Sequence, residues 1–187
     1  MKILKRVLLV LLVLVIVAFV ILYIFIRTIS RQSLPDYNQD IKLSGLKSEV
    51  IVYRDKYAVP HVYAKNENDL YMAVGYILAQ DRLWQMDLIR RITLGRISEI
   101  FGEDFVESDL LLRSLRFSEK SEKVLSVLDE NHQAAIEAFC TGINQYIKSN
   151  LKKLPVEFTL LGYKPEPWEP LHTLNFLGYM SWDLKAG

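Results

Sequence analysis

The sequence predicts an α+β protein that is mostly helical and is preceded by a transmembrane helix. Three observations predict this class. An uncharged apolar run fills residues 7–26, two short β-branched and aromatic segments follow between residues 50 and 64, and apolar residues recur at helical spacing after them. The length of 187 residues allows one ordinary domain beyond the apolar run.

The apolar run is long enough to cross a membrane. As a helix, residues 7–26 rise about 30 Å, the thickness of a bilayer's hydrocarbon core. A buried core helix is excluded by the length of the run and by its lack of a polar face. A cleaved signal peptide and a retained signal anchor remain, and the anchor is favoured because no Ala-x-Ala pattern lies near Ile26.

The orientation of the anchor is inferred from the short basic leader at residues 1–6. Basic residues flank the run on both sides, so their numbers alone do not set the orientation. A single N-terminal anchor after a short basic leader favours export of the C-terminal part of the chain. We therefore predict a cytoplasmic leader at 1–6, a membrane anchor at 7–26 in the lipid bilayer, and an extracytoplasmic remainder, either periplasmic or at the cell surface.

The charge balance argues against a nucleic-acid partner. Five of the 23 basic residues lie in residues 1–31, which contain no acid, so the remainder has 18 basic residues against 22 acidic ones. A nucleic-acid-binding protein needs a basic face, and this part of the chain is mildly acidic. The lone Cys140 can form neither an internal disulfide nor a zinc site.

The chain after the anchor begins with a stalk and a pair of strands. Residues 27–48 are polar and turn-rich, which is typical of a stalk between a membrane and a domain. Residues 50–53 and 60–64 are β-branched and aromatic, and they are separated by a turn at hairpin distance. The folded domain is therefore predicted to begin at residue 49 with two adjacent strands.

A long helix is predicted after the strands. Asn66 is a suitable N-cap, with Asp69 three residues later. One apolar stripe runs along this helix: Leu70, Val74, Ile77, Trp84 and Leu88. Asp81 falls on the stripe, so it is either buried and paired or marks a break between two helices. A bare buried carboxylate costs on the order of several kcal/mol, so we expect a partner, with an arginine such as Arg82, Arg90 or Arg91 as the obvious candidate.

Shorter helices come next along the chain. Gly95 and Gly102 are expected to close a short helix around residues 97–101. Ser118 is a candidate N-cap for the next helix. A stronger helix then carries an apolar face made of Ile136, Phe139, Cys140, Ile143 and Ile147. After Pro155 and the loop at 162–170, a last helix starts near Leu171 and carries Leu174, Leu177 or Gly178, Ser181 and Leu184.

The residues that usually carry chemistry do not form a site of their own. His61, His132 and His172 are scattered, and none stands at metal-ligand spacing, so each is interpreted as structural. The sequence contains neither a phosphate-binding glycine pattern nor a Gly-x-Ser-x-Gly elbow. Cys140 belongs to an apolar stripe and is interpreted as a core thiol. Acid pairs at 36/40 and 103/104 lie in polar loops and are expected to be solvated.

Three segments carry a family resemblance. They are residues 53–64, residues 75–91 and residues 95–102, and the loop at 162–170 also fits. The second is the most specific, because AQDRLWQM followed by two arginines is long and unusual in composition. Together they resemble the small-subunit portion of the penicillin acylase family of N-terminal-nucleophile hydrolases. The similarity covers nearly everything after the stalk.

The resemblance implies the small-subunit part of a four-layer αββα enzyme. In that family one precursor cuts itself, and a serine exposed at the start of the large chain attacks the substrate. The α-amine of that serine is the general base, since an α-amino group has a pKa of about 7.7–8.0, and donors from the large chain hold the oxyanion. The resemblance therefore implies no catalytic residue in this chain and a large catalytic chain as its partner. It implies no catalytic cofactor, and a structural calcium with ligands outside this chain.

The resemblance also suggests residues that line the acyl pocket. By position, Met180 matches a pocket methionine, while Asp183 and Leu184 fall where some members place arginine and phenylalanine. An acid in place of a base and an aliphatic in place of an aromatic argue against a phenylacetyl-type preference. A flexible methionine suits a promiscuous apolar pocket. The alternative is that Met180 and Leu184 are simply core residues.

The functional prediction is an N-terminal portion of a membrane-anchored extracytoplasmic amidohydrolase. Its substrates would be small N-acylated amides such as β-lactams or N-acyl homoserine lactones. Self-cleavage in the family often occurs after a glycine, but family small chains continue well past the last helix, so residues 49–187 are interpreted as an incomplete small-subunit region and not as ending at a scissile Gly187. The alternatives are a non-catalytic membrane-tethered scaffold, and an unrelated binding module for which the match at 80–91 would be accidental.

Overall fold

The computed structural model describes residues 2–32 and 34–186. Its elements are α1 (Lys2–Gln32), β1 (Ile51–Arg54), β2 (Pro60–Tyr63), α2 (Glu67–Leu94), α3 (Ser98–Phe101), a 3₁₀ turn (Glu103–Phe105), α4 (Val106–Ser114), α5 (Phe117–Val127), α6 (Glu130–Ser149), α7 (Val156–Leu160) and α8 (Pro170–Ala186). The expectation of a mostly helical chain with a small sheet is confirmed.

Helix α1 contains the predicted anchor. Its segment Lys5–Thr28 has a mean hydropathy of 3.6 and is not buried against any described part of the chain. This is long and apolar enough to cross a membrane. A signal sequence near an N-terminus has the same length and composition, so the helix fits both of the alternatives left open by the sequence.

The two predicted strands form an antiparallel hairpin. Tyr53 of β1 lies opposite His61 of β2. The Asp55 carboxylate closes the turn by accepting hydrogen bonds from the backbone N–H groups of Tyr57 (2.8 Å) and Val59 (3.0 Å). Ala58 has a left-handed φ of 61° in this turn. The tight turn fixes the register of the hairpin.

The start of α2 is capped as the sequence predicted. The Asn66 side chain accepts a hydrogen bond from the Asp69 N–H at 2.9 Å. Asp69 itself is buried, and its carboxylate accepts the N–H groups of Lys47 and Ser48, each at 2.9 Å. These hydrogen bonds, first of all the one from Lys47, hold the pKa of Asp69 below its usual value. The same cap therefore fixes the segment that precedes the hairpin.

Asp81 marks both a pairing and a break. Arg82 has non-helical angles (φ −139°, ψ 19°), so α2 is kinked there. The partner of Asp81 is Arg54 of β1, whose two terminal nitrogens lie 2.8 and 3.0 Å from the carboxylate. The expected arginine partner is confirmed, but it is none of the three candidates that the sequence suggested, Arg82, Arg90 and Arg91. Arg82 is exposed and the other two bind elsewhere, because the strand supplies a cation that spacing along one helix cannot reveal.

The apolar stripe predicted for α2 does not coincide with the buried face of the helix. Of its residues only Ile77 is buried, and Leu70, Val74, Trp84 and Leu88 are half-buried. The buried face instead carries Met72, Ala73, Tyr76, Ala79, Leu83 and Met86. The prediction failed because this face is built partly from small residues, which a search for large apolar side chains passes over.

Helix α6 crosses α2 at backbone contact. A Cβ atom on Gly142 would lie 1.9 Å from the Met72 carbonyl oxygen, and one on Gly75 would lie 2.1 Å from the Phe139 carbonyl oxygen. Only glycine permits this approach. The predicted face of α6 is confirmed, with Cys140, Ile143 and Ile147 buried and Ile136 and Phe139 packed against the same core. The core lies between α2, α6, α7 and the loop before α8.

The short helices confirm one prediction and correct another. Gly95 ends α2 in the left-handed region and Gly102 caps α3, as expected. Ser118 is not the N-cap of α5, because the helix already begins at Phe117, after Arg116 with a left-handed φ of 56°. The Ser118 hydroxyl instead accepts a hydrogen bond from Asn175 of α8 at 3.2 Å. Ser118 thus joins α5 to α8, and a polar side chain can form such a contact as readily as it can cap a helix.

Candidate functional site

Helix α8 carries all three residues predicted to line the acyl pocket, and its start is held firmly. The backbone N–H of Trp168 donates to Asn144 Oδ1 at 2.7 Å, and Asn144 Nδ2 donates to the Trp168 carbonyl at 2.8 Å. This reciprocal pair ties the loop to α6. The Glu169 N–H then donates to His172 Nδ1 at 3.0 Å, which satisfies an N–H group at the start of the helix.

The predicted pocket residues share one side of α8. Met180, Asp183 and Leu184 stand at i, i+3 and i+4, so their side chains are neighbours. Met180 is half-buried, Asp183 is exposed and Leu184 is 75% exposed. Asp183 forms no ion pair with the residues that the structure describes. This side of α8 is therefore open, and only Met180 is partly held within the fold.

A groove lies along a different side of the same helix, between α5 and α8. Its volume is about 280 Å³. It is lined by Leu115, Phe117, Lys120, Ser121, Val124, Leu174, Leu177, Gly178, Ser181 and Trp182. The rings of Phe117, Tyr179 and Trp182 form an aromatic cluster with centroids 6.0–6.5 Å apart. The three predicted pocket residues do not line this groove, so α8 presents two separate apolar surfaces.

The arginines of α2 belong to a cluster of ionic side chains. Asp87 pairs with Arg90 and, at 3.2 Å, with Arg91. Arg90 and Arg91 reach on to two carboxylates from other elements, Glu166 at 3.1 Å and Glu99 at 2.7 Å. We refer to the following six residues as the ionic cluster: Asp87, Arg90, Arg91, Arg96, Glu99 and Glu166.

The ionic cluster is electrically balanced and partly buried. Arg90 and Asp87 are almost fully enclosed, with side chains 0% and 3% exposed. Hydrogen bonds from Arg96 hold the pKa of Glu166 at about 2, with Arg90 adding to the effect. Three cations face three carboxylates, so the cluster has no charge left for a ligand. It acts as a structural tie between α2, α3 and the loop before α8.

The ionic cluster also unites two of the three segments that carried the resemblance with the loop at 162–170. Asp87, Arg90 and Arg91 come from 75–91, Arg96 and Glu99 from 95–102, and Glu166 from 162–170. The sequence interpretation missed it, because it sought a partner for Asp81 among the same arginines. The available signal was the presence of charged side chains in all three of these segments.

Cys140 and the three histidines occupy core, turn or cap positions. Burial raises the pKa of the Cys140 thiol to about 11, which opposes formation of the thiolate. Burial also lowers the pKa of His172 to about 4, with the charge of Arg90 acting in the same direction. His61 and His132 lie beside Asp55 (3.6 Å) and Asp129 (2.6 Å), each within the local turn or cap. The acid pairs at 36/40 and 103/104 are exposed as expected.

Comparisons with known proteins point to one family. A family model described as penicillin amidase matches residues 49–187. The chain is 38% identical over 142 residues to the penicillin acylase 2 proenzyme of Pseudomonas sp. (strain SE83), covering 76% of this chain and 18% of that protein. It is 34% identical over 139 residues to penicillin G acylase of Escherichia coli, covering 72% and 16%.

Two further matches extend the comparison. The acyl-homoserine lactone acylase QuiP of Pseudomonas syringae pv. syringae (strain B728a) is 30% identical over 144 residues, covering 77% of this chain and 18% of that protein. The solved structure of a thermostable penicillin G acylase from Alcaligenes faecalis matches with a TM-score of 0.67 and 28% identity, covering 74% of this chain and 75% of that chain. The chain thus spans less than a fifth of the curated relatives' length.

Proposed function

Because the chain belongs to the penicillin amidase family, we propose that it is the N-terminal portion of a membrane-anchored, extracytoplasmic acylase. The proposed reaction is hydrolysis of the amide in a small N-acylated substrate. The names of the relatives suggest two substrate classes, penicillins and acyl-homoserine lactones. The proposal gives this chain the part of a small chain, which works with a large catalytic chain from the same precursor.

The observation that carries the proposal is a contrast in length. The curated relatives are more than five times longer than the region they share with this chain, since that region is 16–18% of each. The matched chain of the solved acylase is of similar length to this one, since the match covers about three quarters of both. This contrast supports an acylase that is assembled from separate chains. One of those chains would correspond to the region shared with this protein.

The chemistry of the described residues supports the same division of labour. Amide hydrolysis needs a nucleophile, a base and oxyanion donors. The Cys140 thiol and the His172 imidazole are buried, and burial raises the pKa of the thiol, which disfavours the thiolate, and lowers the pKa of the imidazole, which makes it a weak base. The proposal therefore places the serine nucleophile in the large chain and gives this chain no catalytic residue.

The contribution proposed for this chain is the shape of the acyl pocket. Met180, Asp183 and Leu184 lie together on one open side of α8. A methionine adapts to differently shaped acyl groups, and Leu184 offers apolar surface without an aromatic ring. The exposed Asp183 carboxylate would repel acyl groups that carry a negative charge.

Two structural expectations belong to the proposal. The region would complete a four-layer αββα fold together with the large chain, and α1 would remain as a membrane anchor. The proposal places the ligands of a structural calcium outside this chain. Among residues 2–32 and 34–186, no group of three or more His, Cys, Asp and Glu side chains fits a metal ion.

The first test is to sequence the DNA downstream of codon 187 in the same reading frame. A continuing frame that encodes more helix and a serine-led segment would support the front part of a self-processing acylase. A stop codon with no related gene beyond it would contradict the proposal. The chain would then be a scaffold without a nucleophile, and no amidase activity would be expected.

The second test addresses the pocket. The whole gene product is assayed for hydrolysis of penicillin G and of a long-chain N-acyl homoserine lactone. Met180→Ala is expected to change the ratio of the two kcat/KM values about tenfold, because one lost side chain in an apolar pocket has an effect of that size. Leu160→Ala is the matched control, since Leu160 is 70% exposed on α7. An equal loss on both substrates would indicate that Met180 is a core residue.

A further inference from the structure

Tyr37 fixes the segment after α1 to the folded domain. Its hydroxyl donates to Asp81 Oδ1 at 3.1 Å, and the Arg54 guanidinium lies 3.9 Å from its ring centroid. Since Arg54 also binds Asp81 at 2.8 Å, the three side chains form one assembly across the segment, β1 and α2. A cation over an aromatic face is attracted by the ring electrons.

The same segment is bound at two further points. Ser44 and Gln145 of α6 exchange hydrogen bonds, with the Ser44 N–H donating at 2.7 Å and Gln145 Nε2 donating to the Ser44 carbonyl at 2.9 Å. Asp69 then holds the N–H groups of Lys47 and Ser48. The chain from residue 37 onward therefore runs along the surface of the domain, and only residues 33–36 separate it from α1.

This short connection limits how far the domain stands from α1. Five residues from Gln32 to Tyr37 reach at most about 18 Å, and six helical residues from Ile26 to Gln32 add about 9 Å. With 7–26 in the hydrocarbon core, Tyr37 lies within about 27 Å of its boundary. This limit is shorter than α6, whose 20 residues are about 30 Å long. The surface around Tyr37 is therefore held within reach of the membrane.

The hairpin turn shares that surface. Tyr37, Tyr57 and Val59 line the same cavity of about 510 Å³ between the turn and α2. All three are well exposed, Tyr57 the most at 74%. Lys56 and Arg82 are exposed beside them. We call these five residues, Tyr37, Lys56, Tyr57, Val59 and Arg82, the tip surface.

The charge and composition of the tip surface fit a lipid surface. Among the neighbouring acids, Asp55 is engaged by the turn and Asp81 by Arg54, while the exposed Asp36 carboxylate accepts only the N–H of Asn38 among the described residues. Lys56 and Arg82 form no ion pair among the described residues. Tyrosine rings favour the headgroup level of a membrane, and lysine and arginine place their charge among lipid phosphates while their stems stay in less polar surroundings.

From this geometry we propose that the tip surface rests on lipid headgroups, so that the domain is held against the membrane instead of swinging on a free stalk. The inference rests on the anchoring by α1 included in the proposed function. The occupant of the tip surface is the bilayer, preferably one with anionic lipids, because the two unpaired cations gain from them. Contact with another polypeptide at the same place is the competing arrangement.

The test measures the depth of single labels in the full-length protein. A Cys140→Ala background removes the one cysteine of residues 1–187, and a bimane fluorophore is attached at Tyr57→Cys, Leu160→Cys or Val17→Cys. The proteins are reconstituted in vesicles of phosphatidylcholine and phosphatidylglycerol. Nitroxide quenchers are carried either on the lipid headgroup or on the acyl chain, and iodide serves as the quencher in water. Unchanged near-UV circular dichroism identifies variants that fold.

The expected result is at least twofold stronger headgroup quenching at position 57 than at position 160, which is exposed on α7. Equal quenching at the two positions would overturn the inference. So would a label at 57 that is shielded from both iodide and headgroup nitroxide, because a polypeptide would then cover it. Position 17 separates the two proposals. Acyl-chain quenching there shows that the anchor is inserted, and its absence would overturn the anchoring and the inference together.

Discussion

The ionic cluster and the outer side of α8 are built in opposite ways. In the ionic cluster three cations meet three carboxylates, and Arg90 and Asp87 are nearly inaccessible to solvent. On the outer side of α8, Leu184 is 75% exposed and Asp183 forms no ion pair among the described residues. The first region is complete within this chain. The second presents apolar surface of the kind that marks an interaction site.

The family resemblance and the residues predicted to set specificity belong to these two different regions. Segments 75–91 and 95–102, which resemble the penicillin amidase family, supply the ionic cluster together with the loop at 162–170, and the cluster ties these parts of the fold together. Asp183 and Leu184, which the resemblance aligns with arginine and phenylalanine of some family members, lie on the open side of α8. A strong sequence match here therefore identifies the architecture and says little about the acyl group.

Removing the charge of Asp87 is the most damaging change expected. Asp87→Asn leaves the charges of Arg90 and Arg91 less compensated in a buried place. Breaking a buried ion pair from one side costs about 3–5 kcal/mol, so the free energy of unfolding should fall by about 3 kcal/mol or more. Urea unfolding of the full-length protein in detergent, followed by near-UV circular dichroism, measures the change.

Asp183→Asn is the matched control for this experiment. The chemical change is the same, but Asp183 is exposed and has no ion-pair partner among the described residues. Its effect on the free energy of unfolding should stay within about 0.5 kcal/mol. Similar losses for the two variants would contradict the distinction between a closed cluster and an open helix side.

A pair of glycines tests the same contrast through packing. Gly142→Ala would bring a Cβ to 1.9 Å from the Met72 carbonyl oxygen, which is backbone and cannot move aside. Overpacking of this kind costs about 1–3 kcal/mol. Gly178→Ala in the α5–α8 groove meets only the Phe117 ring, at 3.2 Å, and the ring can shift. The expected order of melting temperatures is Gly178→Ala above Gly142→Ala, and the reverse order would show that the groove is the tighter contact.

The sequence predicted the elements of this fold better than their contacts. The hairpin, the Asn66 cap, the glycine-closed α3 and the buried face of α6 follow from local patterns and are confirmed. The partner of Asp81 could not be found this way, because Arg54 stands 27 residues away on a strand. The buried face of α2 was missed because its contact with α6 depends on Gly75 and Gly142, which have no side chain to detect.

The candidate site was predictable only through the resemblance. Nothing in the spacing of Met180, Asp183 and Leu184 distinguishes a pocket from a core stripe, and the structure places one half-buried and two exposed. Their role as substrate-binding residues stays a prediction. In the proposed function the pocket needs surface from a large chain, so its shape would not follow from this chain alone.

The pH dependence of stability links the two regions, since His172 at the start of α8 lies near the ionic cluster. Burial and the charge of Arg90 lower the pKa of His172 to about 4, from 6.5 when it is free. A group with a lowered folded pKa stabilises the fold above its unfolded pKa, and this contribution is lost as the pH falls through the folded value. Stability should therefore decline between pH 6.5 and 4.

His172→Gln should flatten that decline, because glutamine does not titrate. His132→Gln is the control, since His132 is 70% exposed at the start of α6. Below pH 4, protonation of the Glu166 carboxylate lowers the stability further, because its folded pKa of about 2 lies below its usual 4.5. Unfolding midpoints measured from pH 8 to pH 3 give the profile. A slope that is unchanged in His172→Gln would assign the loss to other groups.

The smallest effect on folding is expected at Leu177, an exposed residue of the α5–α8 groove. Leu177→Ser should change the free energy of unfolding by less than about 0.5 kcal/mol, because Leu177 is already 58% exposed. Leu160→Ser on α7, where Leu160 is 70% exposed, is the matched control. If a large chain covers α8, Leu177→Ser but not Leu160→Ser should weaken its co-purification. The same uncovered surface predicts that residues 32–187 produced alone aggregate, and a cooperative thermal transition with a folded near-UV spectrum would show that α8 needs no partner.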